Sequence, residues 1–430
     1  MWMCSRRRPG IRAGLLALLT GFILLAATLA TAQELNLDNL VQEALQNNPD
    51  IKASQARIEA AKYRIPQSKS LPDPMFMFGY QNEGFDRYTY GEMQGAQWMF
   101  SASQQFPFPG KRALKGDMAE RDMESLEAMH VLLKLKTASR VRELCYDLLF
   151  NYKTVDVLSS KRDLLARIED LTLARYAAGK AMQQEVLMAQ AEKYMLLEKE
   201  EMLRQKILSL EAMLRAAVGR DKGPPLGRPA DSAFPPMTAT LDEALLMAEQ
   251  HSPEIRSRTK MIEAANTKLL MAQKDYYPDF TVNANYFNRT GEFKDMWSAT
   301  ATMNIPLYFK TKQDAAVLEA RASLVQAKAE LESIKLMIAA ALRDNFSMLR
   351  SSEKLMDLYK NGLLPKNAQD FELAMTGYTT GKTDVAVVIS RLKTMLDYEI
   401  LYWGQFTERA KAVARLHAIS EGLDAEKGKR

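Results

Sequence analysis

The chain has 430 residues, 47% hydrophobic and 26% charged, with a formal net charge of +5. Four of those five charges are Arg6, Arg7, Arg8 and Arg12, with no acid among residues 1–32, so the rest of the chain carries about +1 and implies no polybasic surface for nucleic acid. Beyond Cys4 only Cys145 is present, which excludes a disulfide framework. His130, His251 and His417 fall at unrelated points, and no metal-ligand spacing or phosphate-cradling glycine loop accompanies them. No catalytic residue, cofactor or metal site is therefore expected.

The apolar run from Leu15 to Leu29 follows those arginines and ends at Ala30, Thr31 and Ala32, the pattern of a secretory signal peptide over 1–32. The run is shorter than the ~20 residues of a membrane-spanning helix, and Cys4 precedes it, so it is not placed for lipid attachment at the cleavage point. No long hydrophobic stretch follows. That excludes a helical membrane protein and leaves a transmembrane β-barrel open, because its strands alternate and barely register in hydropathy.

From there the chain says nearly the same thing twice. Leu37-Asp38, Asn48-Pro49-Asp50-Ile51 and Ile58-Glu59-Ala60-Ala61 return 204 residues later as Leu241-Asp242, Ser252-Pro253-Glu254-Ile255 and Ile262-Glu263-Ala264-Ala265. Gln105-Phe106-Pro107-Phe108 corresponds to Asn304-Ile305-Pro306-Leu307, and Tyr176, Gly179 and Lys180 to Tyr378, Gly381 and Lys382. A first repeat over 33–219 and a second over 241–420 follow, a duplicated unit rather than a solenoid.

Each repeat reads as helix, strand, loop, strand, long helix, turn and return helix. The opening helices are predicted from about Asp38 toward Ser70 and from about Asp242 toward Lys274, each stopped by a proline, Pro74 or Pro278. Strands are predicted at Met75 to Gln81, Trp98 to Gln105, Phe280 to Tyr286 and Trp297 to Asn304. In the second repeat Phe280, Val282, Ala284 and Tyr286 alternate with Thr281, Asn283 and Asn285; then Trp297, Ala299, Ala301 and Met303 alternate with Ser298, Thr300, Thr302 and Asn304. In the first, Trp98, Phe100 and Ala102 alternate with Met99, Ser101 and Ser103.

From Lys111 to about Ala178 no proline interrupts, and about 67 helical residues would extend about 100 Å. Val141, Cys145, Leu148, Tyr152 and Val155 step by four and three, the rhythm of helices packed side by side, and Leu331, Ile338, Leu342, Leu349 and Met356 form the matching seam. Cys145 is expected to be a buried small apolar residue. The return helix carries stripes at Met188, Met195 and Met202 and at Leu196, Leu203 and Leu210, read as one broad apolar face. Residues 220–240, with five prolines, read as an extended linker, and 421–430 as a disordered tail.

Four strands of near-membrane length cannot close a barrel. Two copies would give eight strands, whose interior side chains fill, so three copies and twelve strands are the smallest count that leaves a lumen. Thr281, Asn283, Asn285, Ser298, Thr300, Thr302 and Asn304 would then face water, with Phe280, Val282, Trp297 and Ala299 toward lipid. A pore-free periplasmic coiled-coil scaffold explains the helices and the signal but not the alternating strands, or tryptophans suited to a membrane interface.

The order of these features, occurring twice from about Leu37 to Ile419, resembles the TolC-like outer membrane efflux proteins. The resemblance implies a mainly α fold with a small β part: duplicated long α-hairpins forming an α-barrel, and four strands per chain contributing to a trimeric twelve-stranded transmembrane β-barrel. It implies a homotrimer in outer membrane lipid with a periplasmic extension, passing substrate from an inner-membrane pump of RND type and a periplasmic adaptor protein.

Leu71-Pro72-Asp73-Pro74 and the run from Phe106 to Lys111 look most like the heavy-metal branch; drug or organic efflux, or type I secretion, is the alternative. Many relatives in that branch carry an acylated N-terminal cysteine, which has no counterpart after this cleavage site. The resemblance places the two glycine turns at the periplasmic tip, where the adaptor docks and the aperture closes. There Arg175, Tyr176 and Tyr378 are expected to hold neighbouring helices, Gly179 and Gly381 to permit the turns, and Glu185 and Asp384 to form acidic rings on threefold repetition, the alternative being ordinary solvated charges on helix ends. The 25 methionines are read as packing residues, the alternative being a soft-metal relay through Met75, Met77, Met93 and Met99.

Overall fold

The structure, a computed structural model, describes residues 35–223, 226–230, 237 and 239–420. The expected signal peptide, four of the linker prolines (Pro224, Pro225, Pro235 and Pro236) and the tail from residue 421 lie outside them. In chain order the elements are α1 (Leu37–Asn47), α2 (Pro49–Lys69), β1 (Met75–Gln81), β2 (Gln97–Phe106), α3 (Lys111–Ala177) and α4 (Gln183–Val218). The second repeat gives α5 (Leu241–His251), α6 (Pro253–Lys274), β3 (Phe280–Asn288), β4 (Met296–Met303), α7 (Gln313–Asp357), a π-helical segment (Leu358–Leu363), α8 (Leu364–Thr379) and α9 (Val385–Ser420).

Two departures from the sequence reading have local causes. The opening helix is two helices in each repeat, because the residue before a proline avoids the helical region. Asn48 stands there at φ −58°, ψ 125°, and its Oδ1 accepts from the amides of Asp50 (2.8 Å) and Ile51 (3.4 Å), starting α2 afresh with Pro49 in its first turn. Ser252 and Pro253 repeat the break. The long helix of the second repeat is also interrupted. Pro365, in the first turn of α8, lacks an amide hydrogen, and the widened π turn immediately before it absorbs the mismatch.

The chain divides into two compact units, and each draws on both repeats. One takes the segment ending at Ala44, Arg140–Pro236 and Leu349–Lys411. Its core joins α3, α4, α8 and α9: Leu158, Leu165 and Ile168 meet Ala189 and Leu196, Phe371, Ala374 and Tyr378, and Val385, Val388, Ile389, Leu392 and Leu396. The steps of three, four and seven put these side chains on facing stripes. Of the expected seams, Val141, Cys145, Leu148, Leu342 and Leu349 are buried, whereas Tyr152, Val155, Leu331, Ile338 and Met356 are only half-buried. The broad apolar face of α4 is narrower than its sequence suggests. Leu196 and Leu210 are buried and Met188 and Leu203 pack on the core, but Met195 and Met202 are exposed. The described linker is tied to this unit by a parallel bridge from Leu35 to Pro229 and by Arg220, whose guanidinium grips both oxygens of Glu43 at 2.5 Å.

The other unit comprises Leu45–Ser139, Met237–Met348 and the segment beginning at Ala412. Its sheet is antiparallel throughout, in the order β1-β2-β3-β4, so the β2–β3 pairing joins the two repeats. Where the sheet meets the helices, Lys111 is buried at 5% exposure. Its Nζ lies 3.0 Å from Asp279 Oδ1, 3.3 Å from Asp275 Oδ1 and 3.0 Å from the Tyr277 carbonyl oxygen, while Asp279 Oδ1 also accepts from the Phe108 amide at 2.8 Å. No helix among the described residues is long and apolar enough to cross a membrane; strand-built spans are a separate matter.

Burial pushes the Cys145 thiol up to about 12 by disfavouring its charged form. Thiol-specific maleimide labelling at pH 8 should therefore leave the folded protein unmodified and proceed to completion in denaturant; rapid labelling of the folded protein would contradict this packing.

Candidate functional site

Two places gather the residues singled out in the sequence, one in each unit, and each is built by the repeat. The first is the pair of glycine turns. After α3, the Gly179 amide donates to the Tyr176 carbonyl oxygen (2.9 Å) and the Lys180 amide to that of Arg175 (2.8 Å). After α8, the Gly381 amide donates to the Tyr378 carbonyl oxygen (3.0 Å) and the Lys382 amide to that of Gly377 (2.8 Å). This pair of bonds needs a left-handed residue, and Gly179 and Gly381 supply it at φ +69° and +76°.

Arg175 links the turns. Its Nη1 donates to the Tyr378 carbonyl oxygen (2.5 Å) and to that of Thr379 (3.3 Å), its Nη2 to that of Lys180 (3.3 Å), and the guanidinium lies over the Tyr378 ring, 4.5 Å from its centroid. Tyr378 is 1% exposed and its hydroxyl donates to Glu185 Oε2 at 3.0 Å. Burial raises the Tyr378 pKa and the Glu185 carboxylate adds to it, so the phenol stays a donor at neutral pH. Arg175, Tyr378 and Glu185 thus form one connected cluster.

The other expected tip residues sit differently. Tyr176 is 44% exposed, and its side chain forms no hydrogen bond among the described residues. Glu185 Oε1 also accepts from the Met182 amide at 3.2 Å, and Asp384 Oδ1 accepts from the Ala386 amide at 3.1 Å. Both acids thus complement helix starts, those of α4 and α9.

The second place is one face of the sheet. Register puts Thr281 opposite Thr302, Asn283 opposite Thr300 and Asn285 opposite Ser298. Asn283 Nδ2 donates to the hydroxyls of Thr300 and Thr302, both at 3.3 Å, and Asn285 Nδ2 to that of Ser298 at 3.0 Å. On β2 the same face continues through Gln105, Ser103 and Ser101. The alternation around Met99, Ser101 and Ser103 was its signal. Asn304 falls one residue past β4, where its Oδ1 accepts from the Asp279 amide at 2.6 Å and fastens the end of the strand pair.

The opposite face is aromatic and apolar. Phe78 stacks on Trp98 (5.0 Å between centroids), Tyr80 tilts against Trp98 (4.9 Å), and Phe100 approaches Tyr286 (6.2 Å), with Phe280, Val282 and Trp297 exposed alongside. Apart from Phe287 on the ladder face and Gln104 on the aromatic one, the sheet presents a polar ladder on one side and rings on the other, the sorting needed between water and hydrocarbon. Among the described residues, no group of three or more histidine, cysteine, aspartate or glutamate side chains could hold a metal ion.

Comparison with known proteins gives a consistent picture. The model of a family described as outer membrane efflux protein matches residues 40–220 and 244–416, one segment per repeat. The nickel-cobalt-cadmium resistance protein NccC of Alcaligenes xylosoxydans xylosoxydans is 23% identical over 367 residues, covering 81% of this chain and 77% of that protein. The cobalt-zinc-cadmium resistance protein CzcC of Cupriavidus metallidurans is 20% identical over 392 residues, covering 90% of each. Among solved structures, that of CusC, described in terms of folding and transmembrane channel formation, superposes with a TM-score of 0.77 at 13% identity, covering 91% of this chain and 93% of that one. The expected fold class is the observed one.

Replacing Arg175 by Ala removes a charge-assisted link between the turns. Amide hydrogen exchange over 176–184 and 379–386 should quicken about tenfold, equivalent to about 1.4 kcal/mol, whereas Tyr176→Ala should change it little. Equal effects would contradict this assignment.

Proposed function

From the premise that the chain belongs to the outer membrane efflux protein family, we propose that it is the outer-membrane channel of a tripartite efflux system and that its substrates are heavy-metal cations. The observation that carries the channel reading is the two-faced sheet. Phe78, Trp98, Phe100 and Tyr286 share one face and Asn283, Asn285, Ser298 and Thr300 the other, so closure by three copies would put the rings in lipid and the ladder around water. The family and fold are those of channel proteins rather than enzymes. Movement through such a pore is passive, with energy coming from an inner-membrane pump of RND type through a periplasmic adaptor.

The metal reading is supported by NccC and CzcC, both metal-resistance proteins aligned over most of their length. The turns at Gly179 and Gly381 are the proposed adaptor contact and aperture, held closed in each copy by the Arg175, Tyr378 and Glu185 cluster. Thr281, Asn283, Asn285, Ser298, Thr300 and Thr302 are the proposed lining of the barrel.

Deletion of the gene, with complementation as the control, should sensitise cells to cobalt, zinc, cadmium, copper or silver and leave growth in dyes, detergents and antibiotics unchanged. Sensitivity to organic compounds alone would overturn the metal reading while keeping the channel. In planar bilayers Arg175→Ala should raise ion conductance severalfold over the wild type, and unchanged conductance would remove the cluster from gating.

A further inference from the structure

The polar face of the sheet holds side chains that polarity does not account for. Met75 pairs with Ser103 and Met77 with Ser101, so both methionines stand on the ladder face at the level of Asn283 and Asn285, while Phe76 and Phe78 take the aromatic face. The next position on that face of β1 is Gly79, paired with Met99. A Cβ at Gly79 would sit 3.4 Å from the Met99 methyl carbon, so the missing side chain leaves that position to the Met99 thioether. Successive same-face positions on a strand are about 7 Å apart, and the three methionines thus form a column along β1. Met296 stands in the same row as Met99, through Phe287.

Methionine earns its place in cores by filling irregular gaps, but Met75 and Met77 are 65% and 56% exposed. Nor do they serve the aromatic face, where Met303, opposite Phe280, already lies. What a thioether offers on a wet polar face is a neutral, soft ligand, which favours Cu(I) and Ag(I) over the harder divalent ions.

We propose that Met75, Met77 and Met99 form a column of weak thioether sites for soft monovalent metal cations, Cu(I) or Ag(I), on the polar face of the sheet. A cation would pass between neighbouring sulfurs without change of oxidation state. Neutral ligands in small number give rapid release, as passage requires, rather than a stable metal centre. The assignment deepens the metal reading above and rests on it for the claim that this face lines the pore. It separates these methionines from Met93, which lies in the loop between β1 and β2.

Oxidation footprinting of the purified full-length channel tests the site itself. A silver-bound thioether resists oxidation, so AgNO3 should slow peroxide conversion of Met75, Met77 and Met99 to the sulfoxide at least fivefold. Exposed Met93 and Met182 should be unaffected, and zinc should protect none of them. Absence of protection, or equal protection at Met93 and Met182, overturns the column whatever the protein transports. In deletion cells complemented with the combined variant Met75→Leu, Met77→Leu, Met99→Leu, silver tolerance should fall severalfold with zinc and cadmium tolerance retained. Unchanged silver tolerance in that variant, where the wild-type gene confers it, overturns the column alone; a wild-type gene that restores tolerance to no metal overturns the metal reading instead.

Discussion

A four-stranded sheet with two free edges is the constraint on which the rest depends. β1 and β4 each pair on one side only, and the outer rows of N–H and C=O groups have no partner within the sheet. In hydrocarbon each unpaired backbone group costs several kcal/mol, so strands enter a bilayer only as a closed barrel. The aromatic face makes such an environment favourable and the polar ladder demands water opposite. Both demands are met together when further copies of the chain supply the missing edges. Assembly, membrane insertion and pore formation are then one physical event.

That event requires the strands to be held firmly at their base. Lys111, at the start of α3, is buried against Asp275, Asp279 and the Tyr277 carbonyl, and Asp279 also fixes Phe108 and Asn304. Lys111 is the buried member, with two acids and a carbonyl oxygen sharing the compensation of its charge. The same economy governs the turns, where Arg175 satisfies carbonyl oxygens and covers the Tyr378 ring. The two turns use the same pair of backbone bonds, so the duplication extends to individual hydrogen bonds. Only one copy supplies the arginine. The equivalent contact from the second repeat is replaced by Tyr378 itself, whose hydroxyl reaches back to Glu185.

Much of this was legible in the chain because the relevant signals are local. Period-two alternation located β3 and β4 to within a residue or two, freedom from proline gave α3 its length, and paired landmarks gave the repeat. The breaks at Asn48 and Ser252 were also written locally, in the residue before each proline, but the apolar spacing through them outweighed that signal. The π segment before Pro365 lies beyond Met356, the last residue of the seam read from the sequence.

Tertiary features were not legible. Nothing in the spacing of Lys111 and Asp279, or of Arg175 and Tyr378, says that they meet. The exposure of Met195 and Met202 likewise could not be read from a heptad step that places Leu196 and Leu210 correctly. Met75 and Met77 became distinguishable from packing residues only when strand register placed them among serines and asparagines.

The most direct test of the central claim is the copy number of the protein extracted from outer membranes in detergent, measured by native mass spectrometry. Three copies per particle is the predicted result. A particle of one or two copies, or recovery of the protein only in the detergent-free soluble fraction, would contradict the account, because the free strand edges would then have no partner and the polar ladder no lumen to line.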